Sequence, residues 1–313
     1  MARPRKTAPA PAPEPARESW WAFQNLGKHC HRLTWDGGNI GSSRRVLLLA
    51  DLHWDSAHCE RDHLRDTLEV AKAEGAPVFV FGDFYDAMGG RWDPRADPAH
   101  LRDDLRTGGY YLDLLVDTAV KWWAPYAHLL ALISYGNHET SILRRHEVDL
   151  LQRLAHGLRA HGGNVQVGAY WGFILAHINY QANQSKTTKI HYSHGFGGGG
   201  EVTRGILDWN RIRGMYHADV YCSGHIHRRN LEENLVTEVT AKGRVHRSRQ
   251  LFLRCSCWKH EDQGNTGWHM EKGRAARPLG GWWLEFKTTT RPSNPERGQL
   301  QGTYEVDLVA TPT

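Results

Sequence analysis

The sequence predicts an α/β protein that works at the carboxyl ends of its strands. Three observations predict it. Short apolar runs recur, each followed by a block of polar residues that could ligate a metal. Helical stripes lie between several of these runs, and β-prone runs continue after the last block. The clearest unit is Gly82-Asp83-Phe84-Tyr85-Asp86, which follows the buried-strand pattern Pro77–Phe81. Gly82 frees the backbone to turn, so Asp83 is delivered at the edge where open α/β sheets place their ligands. Val46–Ala50 likewise ends in Asp51-Leu52-His53, and Leu129–Ser134 in Gly136-Asn137-His138-Glu139. Thr188–Ser193 ends in His194-Gly195, and Ala218–Cys222 in Gly224-His225-Ile226-His227. One Asp after a strand is more often a turn residue or a helix cap; the recurrence is what points to a site.

The elements follow in order. Residues 1–18 are rich in Ala and Pro and read as a disordered tail. Residues 19–43 form a lead-in that packs on the domain's side through Trp20, Trp21, Phe23 and Trp35, and the main domain spans 44–290. Glu60–Glu74 is a helix, with Leu64, Leu68 and Ala71 on one face and Gly75 and Pro77 ending it. Ala87–Thr107 is a Gly-, Asp- and Pro-rich insertion at the rim of the site. Leu112, Leu115, Val116, Ala119 and Trp123 mark a second helix that Pro125 closes, and Ile142–Ala160 is a third. Val165–Tyr180 reads as two strands about a turn at Gly172, or one bent strand. After the glycine run 197–200, Thr203 caps a short helix with Ile206, Leu207 and Ile212 on its apolar face. Leu235–Thr240, Gln250–Cys257 and Trp282–Lys287 are strands of a second sheet, and the tail 291–313 holds one short edge strand at Thr303–Val309.

Composition sets the outer limits. A chain of 313 residues can bury a large core, and its net charge of +5 is compatible with an anionic partner without demanding one. The five cysteines are odd in number and lack zinc-ribbon spacing; Cys255-Ser256-Cys257 fits one face of a strand. The expectation is a reduced, cytoplasmic protein. No apolar run is long enough to span a membrane, and the basic N-terminus has no hydrophobic region behind it. Composition leaves the oligomeric state open.

The chemistry lies in the blocks. Asp51 and His53 are two residues apart, so an extended backbone would point both to one side, and the same holds for His225 and His227. Each pair would then be a pincer for a divalent ion. With 20 histidines in the chain, most are surface or structural residues, and His29, His31, His58, His63, His146 and His260 are read so. His191 shares a strand with His194, but His194 stands at the strand's end, before Gly195.

Asp51-x-His53, Gly82-Asp83-x-x-Asp86, Gly136-Asn137-His138-Glu139, His194-Gly195 and Gly224-His225-x-His227 appear in the order seen in calcineurin-like metallophosphoesterases. The resemblance covers roughly Arg44 to Arg229. It implies a four-layer αββα sandwich of two mixed β-sheets flanked by helices, with a dinuclear metal centre. One metal would take Asp51, His53 and His227; the other would take Asn137, His194 and His225; Asp83 would bridge them. His138 would be the catalytic histidine, and Asp86 would orient it by accepting a ring N–H. Two divalent cations would lower the pKa of a shared water, so that hydroxide attacks the phosphorus in line while His138 protonates the departing oxygen or stabilises the charge there. The N/O ligand set suits Mn, Fe, Zn, Co or Ni, and the resemblance favours Mn.

Departures from the family pattern bear on the substrate. Protein phosphatases of this superfamily continue the second block with Arg-Gly, where this chain has Ala87-Met88. A phosphodiester in DNA or nucleotides is therefore favoured over a phosphoprotein. The insertion and the strands after Arg229 look like the DNA-exonuclease-like and phage-encoded branches. Arg91, Arg95, Arg204, Arg211 and Arg213 are candidate substrate contacts, and Trp54 is the candidate base-stacking tryptophan. Alternatives are a phosphomonoesterase or nucleotide-pyrophosphate hydrolase on the same centre, or a non-catalytic nucleic-acid-binding module. The complete ligand set argues against the last.

Overall fold

The computed structural model describes residues 19–87, 101–106, 110–180, 184–262, 273–294 and 299–313. The tail 1–18 and most of the insertion 87–107 lie outside these residues.

The chain opens with a hairpin, β1 (Trp21–Gly27) and β2 (Cys30–Asp36). β3 (Ser43–Leu49), α1 (Arg61–Glu74) and β4 (Val78–Phe81) form the first βαβ unit. Gly75 ends α1 in the left-handed conformation at φ 63°, donating to the Ala71 and Lys72 carbonyls. α2 (Tyr111–Trp123) precedes β5 (Leu130–Ser134). The helix expected at Ile142–Ala160 is two helices, α3 (Asn137–His146) and α4 (Leu150–Arg159). The break lies at Glu147, which closes α3 at φ 55°, and at Asp149, whose side chain caps α4 through the Gln152 amide.

β6 (Gln166–Gly168), β7 (Trp171–Asn179) and β8 (Ser185–Ser193) follow, so the turn falls before Gly172. α5 (Ile206–Met215) starts after Gly205 at φ 81°; Thr203 lends it a backbone carbonyl, with no cap from its side chain. β9 (Val220–Ser223), β10 (Asn230–Val239), β11 (Val245–Arg254), β12 (Trp282–Asn294) and β13 (Gln299–Pro312) complete the chain. β11 stops at Arg254, which places Cys255 and Cys257 beyond the strand.

Two mixed sheets result. One has the order β1-β2-β7-β8-β9-β11-β10 and the other β13-β12-β3-β4-β5-β6. Residues 19–43 were expected at the domain's side but extend the first sheet, with β2 parallel to β7. Likewise the runs after Arg229 do not form a sheet of their own: β10 and β11 join β9, whereas β12 pairs with β3. β13 is an edge strand, longer than the expected Thr303–Val309.

Alternation along the strands sorts the core into layers. Val46, Leu48, Phe79, Phe81 and Leu132 face the other sheet and meet Ile174, Ile190, Val220 and Leu253. Leu47, Leu49, Val78, Val80 and Ile133 face the opposite way, onto α1, α2 and α4. On the far side of the first sheet Tyr221 and Phe252 pack under Trp209 and Ile212 of α5. The order is helices, sheet, sheet, helix: the four-layer αββα sandwich.

Candidate metal centre

Parallel pairing brings β3, β4 and β5 to one edge, and β8, β9 and β11 to the facing edge. The ligands do not leave this edge on extended backbone, contrary to the pincer expected from their spacing. Asp51, His53, Asp83, His225 and His227 have φ of 51°, 44°, 49°, 69° and 51°. Non-glycine residues rarely occupy this left-handed region, and Asp and His are among those that enter it most readily. The strain is held by the loops' own hydrogen bonds. The Asp51 amide donates to Gly82 O (3.0 Å), that of His53 to Asp83 O (3.1 Å), and that of Gly224 to His194 O (3.0 Å). The His225 amide donates to both Asp51 carboxylate oxygens, at 3.1 and 2.8 Å.

Two groups of donor atoms converge. In the first, His53 Nδ1 lies 2.9 Å from Asp86 Oδ1 and His227 Nδ1 lies 2.5 Å from Glu261 Oε1. Glu261 takes the ring N–H of His227 and Asp86 pairs with His53 at Nδ1, which leaves both Nε2 atoms as lone-pair donors. They face each other at 3.2 Å, and Asp51 Oδ1 lies 3.3 Å from His227 Nε2. In the second group, His194 Nδ1 donates to the Phe81 carbonyl at 3.0 Å and His225 Nε2 to the Gly197 carbonyl at 3.1 Å. His194 Nε2 then turns its lone pair on Asn137 Oδ1 (3.0 Å) and Asp83 Oδ2 (3.1 Å), and His225 Nδ1 does so on Asn137 Oδ1 (2.9 Å). Acceptors facing acceptors need positive charge between them. The groups adjoin, with Asp51 Oδ1 3.9 Å from His194 Nε2, and the residues fit two divalent cations on nitrogen and oxygen donors.

Burial and neighbouring charge set the titration of these groups. Burial pushes the His194 ring down, but Asp83 and Asp51 outweigh it and raise it to about 9. Burial likewise opposes protonation of His227, and the neighbouring Cys257, Glu261 and Asp51 raise it well above the ordinary histidine value. Burial disfavours the charged form of Asp83, yet His194 and His138 hold its carboxyl well below the usual range. His53 and His225 move down, chiefly through burial.

Asp83 is seated at the start of α3, where its Oδ1 accepts the His138 amide at 3.0 Å. Glu139, buried behind it, accepts the amides of Gly136 (2.9 Å), Asp83 (3.1 Å) and Tyr85 (3.0 Å). Burial and the neighbouring Asp83 push Glu139 up to about 7. His138 is held differently from the expectation. Its Nδ1 lies 2.5 Å from the backbone carbonyl of Asp86, and the Asp86 carboxylate is 3.9 Å away. That carboxylate instead holds His53, and its Oδ2 accepts from Lys259 Nζ at 2.7 Å.

Lys259 and Glu261 were missed from the sequence, although β11 is a sixth strand ending at this edge. The signal was present: Lys259-His260-Glu261 follows a β-prone run as the other blocks do. Asp55 was missed too; its carboxylate accepts the amides of Asp86 (2.6 Å) and Ala87 (3.0 Å) and shapes the second loop.

Other expected residues lie elsewhere. Arg91 and Arg95 fall outside the described residues. Arg204 and Arg211 are exposed, whereas Arg213 pairs with Glu232 at 3.0 Å and lies over the Phe252 ring. Trp54 offers no stacking platform: it is 1% exposed and covered by the Arg102 guanidinium. His31 and His191 are buried and stacked on Phe23 and Tyr216, away from both donor groups.

No protein-family model and no curated protein matches the sequence. Among solved structures, the chain is similar to Vps29 of Chaetomium thermophilum, with 10% identity over 86% of this chain and 97% of that one, at a TM-score of 0.35. It is also similar to the calcineurin-like phosphoesterase YfkN of Bacillus subtilis, with 10% identity over 86% and 90%, at 0.33. For Vps29 of Entamoeba histolytica complexed with zinc the values are 12%, 85%, 98% and 0.30. Likenesses this distant say nothing of activity. What carries weight is internal to the chain: five blocks in a fixed order along the sequence and converging at one sheet edge make it similar to the calcineurin-like metallophosphoesterases.

Proposed function

We propose that this chain is a dinuclear metal-dependent phosphoesterase that hydrolyses phosphodiesters in nucleic acids or nucleotides. The observation that carries the reading is the pair of adjoining groups in which lone pairs face lone pairs. Asp51, His53 and His227 would hold one cation and Asn137, His194 and His225 the other, with Asp83 between them. When bound, two divalent cations supply a nucleophile at neutral pH and neutralise charge on the phosphoryl oxygens. Mn is the first choice, with Fe, Zn, Co or Ni also suited to these donors.

The chain's own residues prepare the rest. Asp86, Glu261 and the Phe81 carbonyl fix the tautomers of His53, His227 and His194, so none must reorient on loading. The Asp86 carbonyl takes the Nδ1–H of His138, leaving Nε2 to carry the exchangeable proton. Protonated, His138 gives that proton to the departing oxygen, and Asp83 Oδ2, at 3.7 Å, stabilises the imidazolium. Ala87 follows Asp86 where a phosphate-gripping arginine would stand. A diester bears one negative charge at the scissile phosphate and needs that cation less than a monoester dianion does. The nuclease reading also draws on the resemblance to the DNA-exonuclease-like and phage-encoded branches, and the odd, unframed cysteines are the ground for proposing a cytoplasmic protein.

The test compares catalytic efficiency on bis-p-nitrophenyl phosphate, p-nitrophenyl phosphate, a phosphopeptide and labelled DNA with Mn, Mg, Zn and Ni. A preference for the diester is expected. A preference for the monoester or phosphopeptide without DNA cleavage rejects the nuclease reading. Absence of turnover with every metal rejects the phosphoesterase itself.

A further inference from the structure

The glycine run 197–200 lies directly on the ligand segment His225–His227. A Cβ at Gly199 would meet Ile226 Cγ2 at 2.3 Å, and the Gly197 carbonyl accepts from His225. Glu201 ends this run and receives two guanidinium groups. Arg228, the residue after the ligand His227, donates to its Oε2 at 2.7 Å, and Arg277 donates to its Oε1 at 3.0 Å. Arg277 is built into the site's wall. Its side chain is 9% exposed and its Nη1 donates to the carbonyls of Ile226 (3.0 Å) and His227 (3.4 Å). The Nε atoms of both arginines are buried and have no hydrogen-bond partner among the described residues. Two cations converging on one carboxylate, with unused donors, exceed what pinning a loop requires. Guanidinium pairs of this kind match a phosphate, which offers more acceptor oxygens than a carboxylate.

We propose that Arg228 and Arg277 form a subsite for a second phosphate of the substrate, next to the one that is cut, and that Glu201 occupies this subsite until the substrate displaces it. The inference rests on the phosphodiesterase reading and narrows it: the substrate carries at least two phosphates, as a polynucleotide or a nucleoside polyphosphate does. Glu201 is half-exposed on a loop of glycines, so it can leave without disturbing the core.

Calorimetric titration of the full chain in excess EDTA tests the subsite without metal or turnover. The probes are inorganic pyrophosphate and a short oligothymidylate lacking terminal phosphate. Removing the internal anion in Glu201→Gln should tighten binding of at least one probe on the order of fivefold. Arg228→Gln and Arg277→Gln should each weaken it by about tenfold or more. A response confined to the oligothymidylate identifies an internal diester phosphate; one confined to pyrophosphate identifies a terminal phosphate. Unchanged or weaker binding of both probes by Glu201→Gln overturns the proposal and makes Glu201 a loop latch. Glu201 is 48% exposed and isosteric with Gln, so the result stands even where Arg277→Gln does not fold. Turnover of bis-p-nitrophenyl phosphate, which has no second phosphate, is measured separately. Its absence would sink the phosphodiesterase reading whatever the titration shows.

Discussion

Replacing Lys259 by Met tests the contact that sequence reasoning missed. Lys259 Nζ lies 2.7 Å from Asp86 Oδ2, and the two side chains are 11% and 2% exposed. Burial works against the charged form of Asp86, and His53 and Lys259 outweigh it, holding the carboxyl far below its usual range. Removing one partner of a buried ion pair typically costs about 3–5 kcal/mol, because the other charge is left uncompensated. Here Asp86 keeps His53 on Oδ1, so the lower end applies, about 3 kcal/mol. At about 1.5 °C per kcal/mol for a chain of this length, that is a fall in Tm of roughly 5 °C. Urea unfolding in excess EDTA removes any contribution from bound metal. Asp86→Asn in the Lys259→Met background should recover part of the loss, since it removes the stranded charge. If Lys259→Met lies within about 0.5 kcal/mol of the parent, the ordinary scatter of surface substitutions, the pair does not exist as described.

The remaining predictions are more compact. His138→Gln should retain both metals by elemental analysis while turnover falls roughly 10²–10⁴-fold, the range for losing a general acid; loss of metal would make His138 a ligand. Asp83→Asn should weaken retention of both ions, whereas His53→Ala should chiefly empty one, as read by metal content after dialysis. Gly224→Ala should destabilise the chain by about 1–3 kcal/mol and lower metal occupancy, because its Cβ would meet Asp51 Oδ2 at 2.3 Å. Burial holds the His31 and His191 rings neutral and lowers each to about 4. The unfolded chain therefore takes up their protons first, so stability is full above pH ~6.5 and falls toward pH ~4, by about 3 kcal/mol per ring. The slope of urea midpoints over that window should become shallower in His191→Phe, by the share that one ring contributes.

Legibility varied with how local the cause was. The stripe of Leu64, Leu68 and Ala71 shows which face of α1 is buried, because helical periodicity and burial coincide there. Asp51 and Asp83 could be picked out because each follows an apolar strand, and His194 because it stands at the end of β8 before Gly195. The break between α3 and α4 was hidden, since leucines run on at helical spacing through Glu147 while the chain makes one left-handed turn. The hairpin β1–β2 was hidden for another reason. Its register depends on β7, some 140 residues later, and nothing within 19–43 specifies that partner. Lys259 and Glu261 belong to the same class: their roles are set by Asp86 and His227, across the sandwich edge.

Four of the five blocks, all but Asp51-Leu52-His53, were legible because each encodes the backbone as well as the ligand. Their glycines are spaces that other blocks fill. A Cβ on Gly82 would strike His194 Nδ1 at 2.4 Å, one on Gly136 would strike Asp83 Oδ1 at 2.1 Å, and one on Gly195 would press on the His225 side chain at 3.2 Å. Gly224 leaves the same room for Asp51. Each glycine thus admits a ligand supplied from a different strand end, and the blocks interlock in a chain that runs from Asp51 at Gly224 through His225 at Gly195 and His194 at Gly82 to Asp83 at Gly136. A chain could keep every Asp, Asn and His of the centre and still fail to assemble it once these glycines acquired side chains. The pairing of glycine with ligand, repeated from block to block, is therefore a stronger sign of a metal centre than the ligands alone.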